Sequence, residues 1–304
     1  MKNRKTAILI GNGTMGARHR ARFESCGVFF SKVLDLDAEK WLGSDESCKF
    51  LQQEPPDFVV IASPAVTHYK YARFFLERRI PVLLEKPLAV TAREAMELVD
   101  LSEANDTLLF VAQSECYNPL FLNFRKHLRL DLAKAVAASR AAGCAAPLDV
   151  KLEFRREHGY CQRCRDVDVT LDLLVHDISL FLNLFDAKDV KVVDSSGNED
   201  YARRLVKIVS GEFAGVVAEF HGDRNSNRDV RQISVSFGRN GNMSSFDYSV
   251  SLARYTSAGT VEHIPDSLDN EHRFFLKLLA GACKDWARRA LMNAAQSVVL
   301  LRNI

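Results

Sequence analysis

The sequence predicts two domains of different class. Residues 1–118 read as a doubly wound α/β domain on a parallel sheet, and residues 119–304 as an α+β domain with an open, predominantly antiparallel sheet and helices on one face. Three observations predict this. Short unbroken apolar runs alternate with helical stretches across residues 6–112, as in a parallel sheet buried on both faces. From about residue 133 candidate strands follow one another with no helix between them, which suits antiparallel pairing. Two helical stretches, residues 269–280 and 285–301, close the chain and are free to pack back on the first domain. At 304 residues there is enough chain for two separate cores.

Taken in order, Thr6 to Ile10 is the first strand, and it runs into Gly11-Asn12-Gly13-Thr14-Met15-Gly16 before a helix from Ala17 to Cys26. G-x-G-x-x-G between a strand and a helix allows a tight turn and close backbone approach to a pyrophosphate at the helix N-terminus. Gly11, Gly13, Thr14, Met15 and Gly16 are therefore candidate dinucleotide contacts, the Rossmann arrangement; the bland alternative is a glycine turn that only packs helix on sheet. The second strand ends in Val33-Leu34-Asp35-Leu36-Asp37. A carboxylate about 20 residues beyond the glycines accepts from ribose hydroxyls and repels a 2′-phosphate, which predicts NAD rather than NADP. Asp35 is the first candidate and Asp37 the second; Asp37 also reads as an N-cap before Ala38-Glu39-Lys40.

Residues 56–62 form a third buried strand, ended by Ser63-Pro64, two candidates to flank the cofactor's diphosphate or nicotinamide ribose. His68, in the first turn of the helix that follows, reads either as a cofactor contact or as a partly exposed helix-start histidine. Strand four, Ile80 to Leu84, stops at Glu85-Lys86-Pro87 because proline cannot donate a ladder bond. Glu85 and Lys86 are thereby held at the carboxyl edge of the sheet, where ligands of open α/β sheets sit. Thr91 and Glu94 fit a capping box at the start of a helix to Ala104, and Leu108 to Ala112 is strand five.

In the second half, strands are expected at residues 149–154, 190–193, 205–209, 215–220, 233–237 and 246–252. Ile233, Val235 and Phe237 alternate with serines, the pattern of a sheet with one wet face, and that free face is a candidate surface for pairing with another subunit. Asp168 to Phe185 reads as one long apolar helix in which Asp172, His176, Ser179 and Asn183 share a stripe. No lysine, arginine or glutamate occurs between Arg165 and Lys188, so the stripe reads as the lining of a cleft, with Asp172 placed to orient His176. Arg155, Arg156, His158, Arg163 and Arg165 crowd what reads as a loop before this helix, suited either to an anionic substrate or to solvent. Cys161-x-x-Cys164 with His158 lacks a second ligand pair, so no metal is expected.

Composition sets the limits. The chain is 47% hydrophobic and 26% charged with a formal net charge of +2, a balance that demands neither nucleic acid nor a membrane. The apolar run after the basic start is too short for a signal segment, and seven cysteines without framework spacing suit a reducing cytoplasm.

Gly11-x-Gly13-x-x-Gly16, Glu85-Lys86-Pro87 and Asp172-x-x-x-His176 together resemble the glucose–fructose oxidoreductase/inositol dehydrogenase (Gfo/Idh/MocA) family over nearly the whole chain. The resemblance implies a Rossmann domain followed by an α+β domain, frequent homodimers or homotetramers, and Lys86, Asp172 and His176 as the catalytic group. It implies hydride transfer between NAD and a secondary alcohol of a sugar or sugar nucleotide. Asp166-Val167-Asp168-Val169 leading into the helix, with Glu115-Cys116-Tyr117-Asn118-Pro119, looks closest to members that oxidise the 3-hydroxyl of UDP-linked N-acetyl amino sugars. Tyr117, Asn118, Arg155, Arg163 and Arg165 are then candidate substrate contacts. The alternatives are a dehydrogenase of a simple aldose or cyclic polyol, and a sensor that binds NAD and sugar without turnover. Three positions depart from the pattern: Cys116 stands where arginine is expected, Leu174 where glycine is common, and Ser179 where an acid is common.

Overall fold

A computed structural model describes residues 4–141, 149–161, 165–187, 189–238, 247–251 and 266–302. The chain divides into two compact units, Met1–Gln113 with Leu268–Val299, and Ser114–Ser267 with Leu300–Ile304.

In the first unit, β1 (Thr6–Ile10), α1 (Thr14–Ser25), β2 (Phe29–Leu34), α2 (Ala38–Leu42), α3 (Asp45–Gln53), β3 (Phe58–Ile61), α4 (His68–Leu76), β4 (Val82–Glu85), α5 (Ala92–Ala104) and β5 (Leu109–Ala112) follow in order. All strand pairs are parallel and the sheet order is β2-β1-β3-β4-β5. The connection reverses direction between β1 and β3, which makes the carboxyl ends of these two strands the topological switch point. Every residue of β3, β4 and β5 is buried, as unbroken apolar runs require in a two-faced sheet.

The second unit contains α6 (Pro119–Ala141), β6 (Asp149–Glu157), α7 (Val175–Phe185), β7 (Val190–Gly197), β8 (Tyr201–Ile208), β9 (Val217–Asp223), β10 (Val230–Gly238) and β11 (Asp247–Ser251). Their sheet has the order β11-β10-β6-β9-β8-β7, with only β6 and β9 parallel. Phe154 of β6 stacks on Phe220 of β9 with ring centres 4.7 Å apart, and Phe181 of α7 meets Phe220 edge-on at 5.8 Å. The helix therefore covers the apolar face, while Ser234 and Ser236 fall on the other. β8 begins four residues before the expected strand. Arg203 and Arg204 break the apolar run there, yet the alternation that buries Ala202, Arg204, Val206 and Ile208 continues through them.

Two helices end the chain, α8 (Ser267–Leu279) and α9 (Lys284–Arg302). Phe275 of α8 is fully buried in the first unit, 5.1 Å from Phe58, 5.5 Å from Phe110 and 6.0 Å from Phe23 between ring centres. Each such aromatic contact adds about 0.5–1.5 kcal/mol to the burial of its area.

Candidate active site

The glycine loop is built by sterics at two of its glycines and by open space at the third. Gly11 has φ +87°, and a Cβ there would lie 2.5 Å from the Ala62 carbonyl oxygen. A Cβ on Gly16 would lie 1.8 Å from the Gly11 oxygen. A Cβ on Gly13 meets nothing within 4 Å, and Gly13 caps α1 with no side-chain bond to the first turn. The space beside Gly13, at the N-terminus of α1, is therefore open, as close approach of a pyrophosphate to the backbone requires.

Asp35 is exposed at the end of β2, and its Oδ1 accepts from the Asn12 backbone N–H at 3.4 Å. Asp37 instead accepts from the Asp35 N–H at 2.9 Å and caps no helix N–H with its side chain. The structure thus leaves Asp35 as the carboxylate at the loop. Ser63 and Thr67 bond through their hydroxyls at 2.7 Å, and Pro64 is exposed.

His68 is 1% exposed, not partly exposed as expected from its place at a helix start. Its Nδ1 lies 2.7 Å from the Pro87 oxygen and its Nε2 3.0 Å from the Ser63 oxygen. Carbonyls only accept, so both bonds exist when both ring nitrogens carry hydrogen. The ring ties the turn after β3 to the turn after β4 rather than offering a nitrogen to a ligand.

Lys86 is half-buried beyond the end of β4. Its backbone N–H donates to Glu85 Oε2 at 3.1 Å, while Glu85 Oε1 lies 2.7 Å from His19 Nε2. Burial works to raise the Glu85 carboxyl, but the His19 hydrogen bond and charge, with Lys86 and His68, outweigh it and hold the group below the usual carboxylate range.

In the second unit the expected single helix begins as a π-turn, Thr170–Leu174, and becomes α7. Asp168 starts it, accepting at Oδ1 from the Thr170 backbone N–H at 2.8 Å. Asp172 is 6% exposed with Arg224 Nη1 3.8 Å from its Oδ2, and His176 is half-buried. Ser179 and Asn183 turn inward from the expected stripe: Ser179 Oγ donates to the Val175 oxygen, and Asn183 Nδ2 donates to Cys116 Sγ at 3.3 Å. Cys116 is thus packed on this helix.

The basic loop is not the loop its spacing suggests. Arg155 and Arg156 lie on β6, because the strand extends to Glu157 through the charged residues. Arg155 pairs with Glu153 at 2.6 Å and Arg165 with Asp200 at 2.5 Å. Arg163 and Cys164 lie outside the described residues. Asn118 Oδ1 accepts from the Leu120 N–H, a cap for α6, and Tyr117 ends the short helical turn before it.

Arg156, 4% exposed, bridges Glu115 and Asp177 with distances of 2.6 and 2.7 Å from Nη2. Burial opposes ionisation of Glu115, yet the Arg156 charge and hydrogen bonds bring it down to about 2. At Asp177 burial prevails over the same guanidinium, and the carboxyl is raised. This cluster lies beside His176 in sequence and contributes to its electrostatic surroundings, since His176 also lowers Glu115.

Residues 15–113 match a family of oxidoreductases with an NAD-binding Rossmann fold, Gfo/Idh/MocA. A UDP-N-acetylglucosamine 3-dehydrogenase of Acidithiobacillus ferrooxidans is 26% identical over 222 residues, 69% of this chain and 65% of that protein. An inositol 2-dehydrogenase of Acidothermus cellulolyticus is 32% identical over 207 residues, 62% of this chain and 57% of that one. The matched stretches thus span less than two thirds of either relative. The solved structure of the Acidithiobacillus enzyme shares the fold, with a TM-score of 0.62 at 22% identity over 97% of both chains.

Set beside the Gfo/Idh/MocA pattern, the residues that motif reading misses are the buried partners. These are His19, Glu271 and His272 in the first unit, each 0% exposed, and Asp177 in the second; Arg156 and Glu115, both named from the sequence, meet each other and Asp177 only in the fold. One local signal was present: Gly16, His19 and Phe23, spaced three and four, are the buried face of α1. Among the described residues no helix is long and apolar enough to cross a membrane.

Proposed function

We propose that the chain is an NAD-linked oxidoreductase acting on a secondary alcohol of a sugar or sugar nucleotide, with a UDP-linked N-acetylhexosamine the first substrate to try. The observation that carries the reading is the carboxyl edge of the parallel sheet, where open space at Gly13, the exposed Asp35 and Lys86 follow the ends of β1, β2 and β4. Gly11, Gly13, Thr14, Met15 and Gly16 would hold the diphosphate, Asp35 the adenosine ribose, and Ser63 and Pro64 the central part of NAD, which when bound supplies the hydride acceptor.

Lys86, Asp172 and His176 are the proposed catalytic group. Lys86 Nζ donates a hydrogen bond to the alcohol oxygen and stabilises the negative charge that develops there. A ring nitrogen of His176 takes the hydroxyl proton, with Asp172 as its partner. The alcohol carbon loses one hydride and its oxygen one proton, leaving a ketone. Lys86→Ala and His176→Ala are each expected to lower kcat by roughly 10²–10⁴-fold with NAD affinity nearly unchanged. Near-normal turnover in either variant removes that residue from the reaction.

A second reading, a cyclic polyol as substrate, gains from the arginines. Arg155 and Arg165 are balanced by Glu153 and Asp200, which weakens the case that they await a diphosphate. A panel of UDP-sugars, aldoses and inositols, followed by nicotinamide absorbance, separates the two. Tight NADH binding with no turnover on any of them would return the chain to a sensor. Assembly through the open face of the six-stranded sheet is part of the proposal, checked by light scattering. A cytoplasmic setting fits the free thiols of Cys26, Cys48 and Cys283.

A further inference from the structure

The first unit buries a run of ionisable side chains that the reaction above leaves unused. His19 of α1 is fully buried between Glu85 and His272: its Nε2 is 2.7 Å from Glu85 Oε1, and its Nδ1 is 2.7 Å from His272 Nε2 on α8. A carboxylate only accepts, so His19 Nε2 carries hydrogen. One further hydrogen must lie between the two imidazoles for the second contact to be a bond. The far oxygen of Glu85 accepts the Lys86 backbone N–H. The chain of contacts therefore runs from α8 through α1 to the residue at the end of β4.

The titratable and charged groups that act on Glu85 are His19 from α1, His68 from α4, Lys86 from its own strand end and Glu271 from α8, while His272 of α8 reaches it through His19. Glu271 is completely buried. Burial and the Glu85 charge raise it well above the usual carboxylate range, opposed only by the Gln113 backbone N–H. Three apolar side chains would pack between these elements without the desolvation that a buried carboxylate and two imidazoles incur.

We propose that His19 and His272 are positioning residues for Lys86: their contacts hold the Glu85 carboxyl in one orientation, and Glu85, which accepts the Lys86 backbone N–H, fixes the lysine at the strand end. The inference rests on the reading of Lys86 as catalytic, and the test separates the two. His19→Leu removes the donor, leaves Glu85 in a buried site without it, and so favours the neutral acid. Lys86 then loses the oriented carboxylate beside it and is held less firmly at the strand end.

The measurement is the rate at which Lys86 is modified by an acylating reagent at fixed pH, read by peptide mass spectrometry, which needs no substrate. Alongside it, kcat is followed against pH. In His19→Leu, Lys86 is expected to label several-fold faster. Turnover should fall roughly 10–100-fold, the usual effect of losing a partner that orients a reacting group, with KM for NAD unchanged and a new loss of activity at acid pH as Glu85 takes up a proton. His19→Gln, which keeps an N–H donor, should restore both readouts. His272→Leu leaves the His19–Glu85 contact in place and should move both in the same direction by less. Unchanged labelling and an unchanged pH profile in His19→Leu overturn the proposal; if that variant does not fold, the same null result in His272→Leu does so. A fully active Lys86→Ala variant would instead defeat the catalytic reading, whatever the labelling shows.

Discussion

Replacing Gly13 by alanine separates a loop that only packs a helix from one that receives a diphosphate. Gly13 has φ −72° and ψ −162°, backbone open to any residue, and an added Cβ meets no atom within 4 Å. Two small effects oppose each other in the ligand-free protein. Reduced freedom of the unfolded chain stabilises by about 0.4–1 kcal/mol, and alanine as the cap of α1 costs about 0.5–1 kcal/mol. The melting temperature should therefore move by no more than about 3 °C. The methyl group occupies the space in front of the N–H groups of residues 14–16, so NADH affinity should fall at least about tenfold, or about 1.4 kcal/mol. Gly16→Ala is the contrasting control, because its Cβ would sit 1.8 Å from the Gly11 oxygen and must disturb the fold itself. Differential scanning fluorimetry and isothermal titration with NADH read the two effects apart. A Gly13→Ala protein that binds NADH as tightly as the parent would refute the assignment of the loop to a pyrophosphate.

Arg156→Met should cost about 3–5 kcal/mol, because Glu115 and Asp177 stay buried without their cation; an unchanged urea midpoint would show that the cluster is not held by charge. The Glu115 carboxyl lies at about 2 against an ordinary 4.5, so it adds stability that is present above 4.5 and lost as pH falls toward 2. Asp177, raised by burial, acts in the opposite sense just above its ordinary value. Urea midpoints from neutrality to strong acid should thus decline most below pH 4.5, and Glu115→Gln should flatten that decline. Asp35→Ser should shift the ratio of NADH to NADPH affinity toward NADPH by about tenfold or more, and an unmoved ratio in competitive titration would remove Asp35 from the ribose.

What could be read from the sequence divides along a physical line. The glycine loop, β4 and the alternation in β10 depend on contacts within a few residues, and each stands where its local pattern put it. Charged positions were misread wherever a distant partner decides their state. Arg156 reads as part of a basic loop because the carboxylates that engage it, Glu115 and Asp177, lie 41 and 21 positions away, whereas Arg155 pairs with Glu153 on its own strand. The Asp172 stripe was drawn at α-helical spacing, and the π-turn at residues 170–174 changes the angular step through its first member, so Ser179 and Asn183 go inward.

His19 shows the limit most clearly. Its spacing from Gly16 and Phe23 is enough to bury it, but a buried histidine on a helix is most simply a core residue with one satisfied nitrogen. Its function depends on a carboxylate 66 positions away and an imidazole 253 positions away, both at 2.7 Å. Neither lies in the same motif, and His272 comes from a helix that follows the whole second sheet in the chain. Burial of such a residue was predictable from periodicity; what it holds in place required the fold.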